Sequence, residues 1–280
     1  MAEEEINSSN CNHKCEGCKV ANCGSRGLPP KYTPHSLTKI GKLIAVTSGK
    51  GGVGKSSVTS MLACALKKHG KSVAIFDADI TGPSIPKAFG VHGKPVATKE
   101  GVKAAESDFG IKMMSLNLLL DGEEAPVAWR GPVIGGVIKQ FYEEVIWGDV
   151  DVMLVDMPPG TSDVFLTIMQ MMPIDGIVTV SAPQELVHMI VGKAVNLAHE
   201  MNVDVIGLVE NMGYFICDEC DKKHYIFGEP QAQAVAQKYG IGAYATLPLD
   251  PKLARFIDAG EIEKYTPDDE LNKIVDVILR

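Results

Sequence analysis

The sequence lacks several things. No apolar run approaches the roughly 20 residues a membrane span needs. Aromatic residues are scarce, at 6% of the 280 positions, so Leu, Ile, Val, Met and Ala must fill any core. Basic residues do not predominate. Lys and Arg number 27 against 35 Asp and Glu, for a net charge of −8. Nucleic-acid surfaces need clustered Lys and Arg, so this balance argues against such a partner. The first thirty residues are polar and acidic and contain no apolar h-region. They predict no secretory signal, and hence a cytoplasmic chain. The seven cysteines are an odd number, and six fall in two tight clusters. In a cytosolic chain that pattern reads as metal binding or redox chemistry rather than a disulfide framework.

With 45% hydrophobic residues, the chain can build one large α/β domain. Its organising stretch is Gly49 to Ser57, GKGGVGKSS. Gly49, Gly54, Lys55 and Ser56 fit the phosphate-loop spacing of Gly, four residues, Gly, Lys, Ser or Thr. The stretch before it, 42–47, is apolar and β-branched like a buried strand. The stretch after it, 58–68, has apolar residues at helical spacing and stops at Gly70. Glycines let the backbone N–H groups of Gly51, Gly52, Val53 and their neighbours turn onto a phosphate, and the helix start adds partial positive charge. Lys55 reaches the outer phosphates, and the Ser56 hydroxyl suits Mg²⁺. Lys50 adds a second lysine to the loop.

Residues 1–38 read as a polar, Pro-containing tail, and 39–280 as the folded domain. The tail holds Cys11, Cys15, Cys18 and Cys23 within thirteen residues. Ordering thirteen residues costs about 13–26 kcal/mol, and the segment has almost no apolar side chains to offset that. A bound metal could. The spacing favours an iron–sulfur cluster over zinc, and a flexible tail with free thiols is the plain alternative.

Further strands are expected at 72–77, 111–116, 150–156, 176–180 and 205–209. Helices are expected at 133–146, 184–201, 231–238 and 268–279. The segment 92–108 reads as an irregular connection or short hairpin. Asp77 and Asp79 follow the second strand, and carboxylates at a strand's C-terminal end lie on the ligand side of a parallel sheet. Asp79 is the better candidate to orient a water against the γ-phosphate; capping of the next turn is the alternative. Asp156 ends an apolar strand, as a Mg²⁺-water carboxylate does. In the loop that follows, Gly160 can approach the γ-phosphate, and Asp163 can cap a helix or sense the nucleotide. Arg130 could serve the nucleotide, a dimer interface or nothing. Asn211 could pair with adenine or make an Asx turn, and Pro248 and Asp250 lie in a loop that could border the base. The lone Cys64 reads as a small core residue.

Cys217 and Cys220 are spaced as a metal knuckle or a redox dithiol. One pair supplies two ligands where zinc or a cluster usually takes four. His224 could add a third for zinc. A two-fold dimer solves the count with two pairs on its axis.

The loop KGGVGKS resembles the deviant Walker A loop of the MinD, Soj, ArsA and nitrogenase iron-protein class. That resemblance implies that Lys50 reaches the nucleotide of a partner subunit in a homodimer; a solvated loop lysine is the alternative. KGGVGKSS, DADITGPSIPKAFG, DMPPGTSD, ENMGYF with the Cys217–Cys220 pair, HYIFG and LPLDP together resemble the Mrp family. The resemblance spans nearly all of 39–280. It implies a doubly wound α/β P-loop fold with a mostly parallel sheet, ATPase activity, and an iron–sulfur scaffold and carrier function. It further implies a labile [4Fe–4S] cluster bridged by Cys217 and Cys220 of two copies and handed to apo-proteins. Other functions remain open: a MinD-like positioning ATPase, a nitrogenase-reductase-like electron donor, or a zinc-stapled dimer. The acidic start of the closing helix argues against a membrane-binding role.

Overall fold

In the computed structural model the described residues are 30–280, without 80, 81, 83, 120–130 and 184–186. The tail cysteines Cys11, Cys15, Cys18 and Cys23, and the loop residue Arg130, lie outside them.

The chain alternates strand and helix from its first element. In order come β1 (Lys39–Ser48), α1 (Lys55–Lys68), β2 (Val73–Asp77) and the short α2 (Ile85–Ala88). The small strands β3 (Val96–Ala97), β4 (Val102–Lys103), β5 (Ala105–Glu106) and β6 (Lys112–Met114) follow, then α3 (Gly131–Glu143), β7 (Val145–Ile146) and β8 (Asp149–Asp156). The second half holds α4 (Asp163–Met171), β9 (Gly176–Ser181), α5 (Val187–Glu200), β10 (Val205–Ile216) and β11 (Lys223–His224). Then come α6 (Ala232–Tyr239), β12 (Ala243–Pro248), α7 (Pro251–Asp258) and α8 (Asn272–Leu279).

Seven strands form one parallel sheet, ordered β12-β10-β9-β1-β8-β2-β6. Strand β5 adds an antiparallel edge beyond β6, and β11 pairs antiparallel with the far end of β10. The central strands are apolar on both faces, as a sheet covered on both sides requires. On β1, Ile44 and Val46 face a core built with α1, α2 and α8. Its alternate residues Leu43 and Ala45 face a second core shared with α3 and α4. Helices α5 and α6 close a third cluster over Leu208 of β10. Few aromatics sit inside; Phe76, Phe141 and Trp147 form one group in the second core. This is the doubly wound α/β fold the motifs imply: from β1 the chain crosses past β8 to β2, and from β8 it crosses back past β1 to β9, so the order reverses between β1 and β8. Ligands bind such sheets at the C-terminal strand ends, where the order reverses.

Several boundaries differ from expectation. The helix expected through 146 ends at Glu143, because Val145 and Ile146 pair with Val102 and Lys103 instead. Buried Trp147 anchors that return through Nε1, which donates to the Phe141 carbonyl at 3.0 Å. The strand expected to end at Val209 continues to Ile216. Its register with β12 shifts between Glu210 and Tyr214, where Met212 adopts a left-handed φ of 60°. That irregularity breaks the apolar alternation and hides the continuation from a pattern reading. The closing helix begins with a 3₁₀ turn at Asp269–Leu271. Helix α7 is only eight residues long, and its apolar Leu253, Phe256 and Ile257 are half-buried against the first core, too short a pattern to stand out in the sequence.

Candidate functional site

At the C-terminal end of β1 the chain turns through Gly49 to Gly54 and enters α1. Gly52 and Gly54 have φ of 80° and 81°, the left-handed region that glycine occupies without steric cost. Gly54 caps α1, and its carbonyl accepts from the Val58 N–H at 2.9 Å. No acidic residue lies in the first turn of α1, so the helix start stays favourable to an anion. Ser48 Oγ donates to the Lys50 carbonyl at 3.0 Å, and the Gly160 N–H donates to the Ser48 carbonyl at 2.8 Å. The phosphate loop and the loop after β8 are thus tied at one edge. Gly160 itself has φ of 77°.

Parallel pairing puts Asp156 level with Val46 on one side and Asp77 on the other. Fully buried Asp156 is the centre of a polar knot. Its Oδ2 accepts from Lys55 Nζ at 2.7 Å and Ser56 Oγ at 2.6 Å. Its Oδ1 accepts from Thr59 Oγ1 at 2.7 Å. Lys55 also lies 3.6 Å from Asp79 Oδ2. Lys55, Ser56, Asp79 and Asp156, chosen separately from sequence, therefore meet in one place. Ser57 follows as the next residue of the first turn. Thr59 was not singled out by the motif; its place one helical turn after Lys55 is the only signal.

Asp77 is buried just behind this group. It accepts from Ser115 Oγ at 2.9 Å and from the Asp79 N–H at 3.2 Å. Burial pushes its carboxyl up to about 8, and the Asp156 charge adds to the rise. Its proton relieves the repulsion between two acids side by side on neighbouring strands.

Ser56 Oγ and Asp156 form the donor pair that suits a magnesium ion, a hydroxyl and a carboxylate at hard-oxygen positions. The fit is supported by their 2.6 Å approach beside the loop.

The remaining nucleotide candidates are placed as follows. Asn211 is buried, and its Nδ2 donates to the Val53 carbonyl at 3.0 Å. A Cβ at Gly54 would run into that amide. Pro248 ends β12 opposite Tyr214. Asp250 caps α7 by accepting from the Lys252 N–H at 2.8 Å, and it also accepts from Tyr265 Oη at 3.0 Å. At α4 the cap is Ser162, whose Oγ accepts from the Phe165 N–H; Asp163 sits in the first turn rather than capping it. Buried Glu210 lies just past the strand expected at 205–209. Its carboxylate accepts from the Gln231 and Ala232 N–H groups and caps α6. Cys64 is 5% exposed in the first core, and burial pushes its thiol up to about 12.

Cys217 and Cys220 lie in the turn between β10 and β11. The Cys217 N–H donates to the Lys222 carbonyl at 3.0 Å, and the Asp221 N–H donates back to the Cys217 carbonyl at 2.9 Å. The turn leaves Cys220 exposed and Cys217 half-buried. The N–H groups of Glu219 and Cys220 hold the Cys217 thiol below its ordinary value, with the Cys220 thiol adding to this. That environment suits a thiolate metal ligand. Among the described residues no three of His, Cys, Asp and Glu converge on a metal position. His224 sits in β11 opposite Phe215 and is not brought together with the pair in this structure. Exposed Ile216, Tyr225, Ile226 and Phe227 surround the turn. No helix among the described residues is long and apolar enough to cross a membrane.

Comparison with known proteins agrees with this geometry. A 41% identical relative from Clostridium perfringens, an iron-sulfur cluster carrier protein, aligns over 94% of both chains. One of the same description from Methanococcus maripaludis is 40% identical over 100% of this chain and 98% of its own. The iron-sulfur cluster transfer protein NUBPL of Dictyostelium discoideum is 37% identical over 85% of this chain and 74% of its own. Among solved structures, a nucleotide-binding protein of Archaeoglobus fulgidus in complex with ADP superposes with a TM-score of 0.75 at 44% identity. That match covers 82% of this chain and 90% of the other. The cell division ATPase MinD of Pyrococcus furiosus shares the fold, with a TM-score of 0.60 at 20% identity over 85% and 97%. The ParA family profile described as NUBPL iron-transfer P-loop NTPase matches residues 39–280, and the chain belongs to that family.

Proposed function

We propose that this protein is an ATPase that assembles a [4Fe–4S] cluster and passes it to apo iron–sulfur proteins. The reading rests above all on the presence, in one chain, of a formed phosphate site and an exposed cysteine turn joined by β10.

On the ATP side, Lys55 neutralises the outer phosphates, and Gly49 to Ser57 wrap them with backbone N–H groups. Ser56 and Asp156 would hold a magnesium ion, which would supply further neutralisation of phosphate charge. Asp79 orients the attacking water. Lys50 reaches the nucleotide of a second copy. Asn211, Pro248 and Asp250 border the base. Hydrolysis is slow, as suits a switch.

On the cluster side, one chain offers two thiolates, and a [4Fe–4S] cargo takes four. Two copies meeting on a two-fold axis complete the set. The exposed Ile216, Tyr225, Ile226 and Phe227 give this meeting an apolar surface. Cys11, Cys15, Cys18 and Cys23 would hold a second cluster. The protein works in the cytoplasm as a homodimer.

Anaerobic reconstitution with iron and sulfide, followed by incubation with an apo-ferredoxin, tests the proposal. Transfer that depends on Cys217 supports it. Firmly bound zinc, or a cluster that never leaves, overturns it.

A further inference from the structure

We infer that strand β10 mechanically links the phosphate loop to the cysteine turn, with Asn211 as the positioning residue at the loop end and Met212 as the joint. The inference takes Cys217 and Cys220 as the cargo ligands, but its test needs no iron.

Three observations carry it. First, β10 touches the loop directly. The Asn211 amide holds the Val53 carbonyl at 3.0 Å. The Met212 methyl lies 3.7 Å from where a Cβ on Gly54 would stand. Second, the path onward is stiff. Cys217 follows Asn211 by six residues, directly after the end of the same strand at Ile216. Between them, the Tyr214 carbonyl accepts from the Leu249 N–H at 2.7 Å, and Tyr214 Oη donates to Asp268 at 3.0 Å. Lys223 of β11 stands 4.0 Å over the Tyr214 ring. Third, the stretch of strand between the loop contact and the cysteine turn has an irregular point. Met212 holds a left-handed φ of 60°, and the register with β12 shifts there. A side chain in that conformation persists only where its surroundings over-determine it.

Filling the loop changes what Asn211 faces. The loop N–H groups turn onto phosphate, and the amide gains a base as a second claimant for its donors. The Met212 joint then has a reason to shift, and a shift at a stiff strand's root moves its tip. Coupling needs an element with two arrangements that both sites bias; in this link that element is the Met212 joint, and the experiment below asks whether it moves.

The test reads the alkylation rate of Cys217 and Cys220 in the iron-free, reduced, full-length chain, resolved by peptide mass spectrometry, with and without saturating Mg–ATP. Nucleotide binding is measured separately for each variant. In the unaltered protein, Mg–ATP changes the rate by about five-fold or more, the usual floor for coupled sites. Met212→Gly, which accepts the same φ without strain, and Asn211→Ala both bring the ratio towards one. If Asn211→Ala no longer binds ATP, the Met212→Gly result decides. An unchanged rate in the unaltered protein overturns the link. So does a Met212→Gly variant that binds ATP and keeps the full ratio, since dimer closure alone then explains the change. Neither result touches cluster transfer, which the reconstitution experiment judges by itself.

Discussion

Lys55 Nζ lies 2.7 Å from Asp156 Oδ2, and both groups are buried. The lysine we propose for phosphate is thus held by the carboxylate we propose for magnesium water. Breaking such a pair from one side leaves an uncompensated charge, while removing both partners is far milder. Lys55→Met should therefore destabilise the protein by about 3 kcal/mol, read as a lower urea midpoint. Lys55→Met with Asp156→Asn should recover most of that loss without recovering ATP binding. A single variant as stable as the natural protein would show that Asp156 is satisfied by its hydroxyl partners alone.

Two glycines of the loop separate backbone demand from open space. Gly54 has φ of 81° and the Asn211 amide where a Cβ would go, whereas Gly51 has neither. Gly54→Ala should weaken nucleotide binding at least about ten-fold and lower stability by about 1–2 kcal/mol from the left-handed backbone alone. Gly51→Ala should leave stability within about 0.5 kcal/mol. Isothermal titration and thermal unfolding of the two variants check this.

Asp77 carries a pH signature. Its carboxyl titrates near 8 when folded, against 3.8 for the ordinary group. Between these values the folded state binds a proton that the unfolded chain does not. This residue's contribution to stability therefore falls as pH rises from about 4 to about 8, and is fully unfavourable above that. Asp77→Asn removes the titration. The variant should gain stability relative to the natural protein as pH goes from 5 to 8, measured as the difference in urea midpoint. A difference that stays flat across that range would mean Asp77 is already ionised at pH 5.

Much of this was legible in the sequence. Strands β1, β2, β8 and β9 announced themselves because both of their faces are buried, leaving unbroken apolar runs. Lys55, Ser56 and Asp156 were legible because phosphate chemistry tolerates few alternatives at those spacings. Thr59 and Ser115 were not, since a buried hydroxyl on a carboxylate has no sequence period. Nor was the role of Glu210, whose partners, the N–H groups that open α6, come from 21 and 22 residues away. The second half of β10 was hidden by one left-handed methionine, and α7 by its length of eight residues, which leaves only Leu253, Phe256 and Ile257 to mark its apolar face.

The central claim is that two copies pool their cysteine pairs around one cluster. Native mass spectrometry of the reconstituted, full-length protein with Cys11, Cys15, Cys18 and Cys23 changed to Ser tests it most directly. The account predicts a dimer holding one [4Fe–4S] cluster, about two irons per chain, which Cys217→Ala abolishes. A single chain carrying the cluster, or a dimer whose iron survives Cys217→Ala, would contradict it.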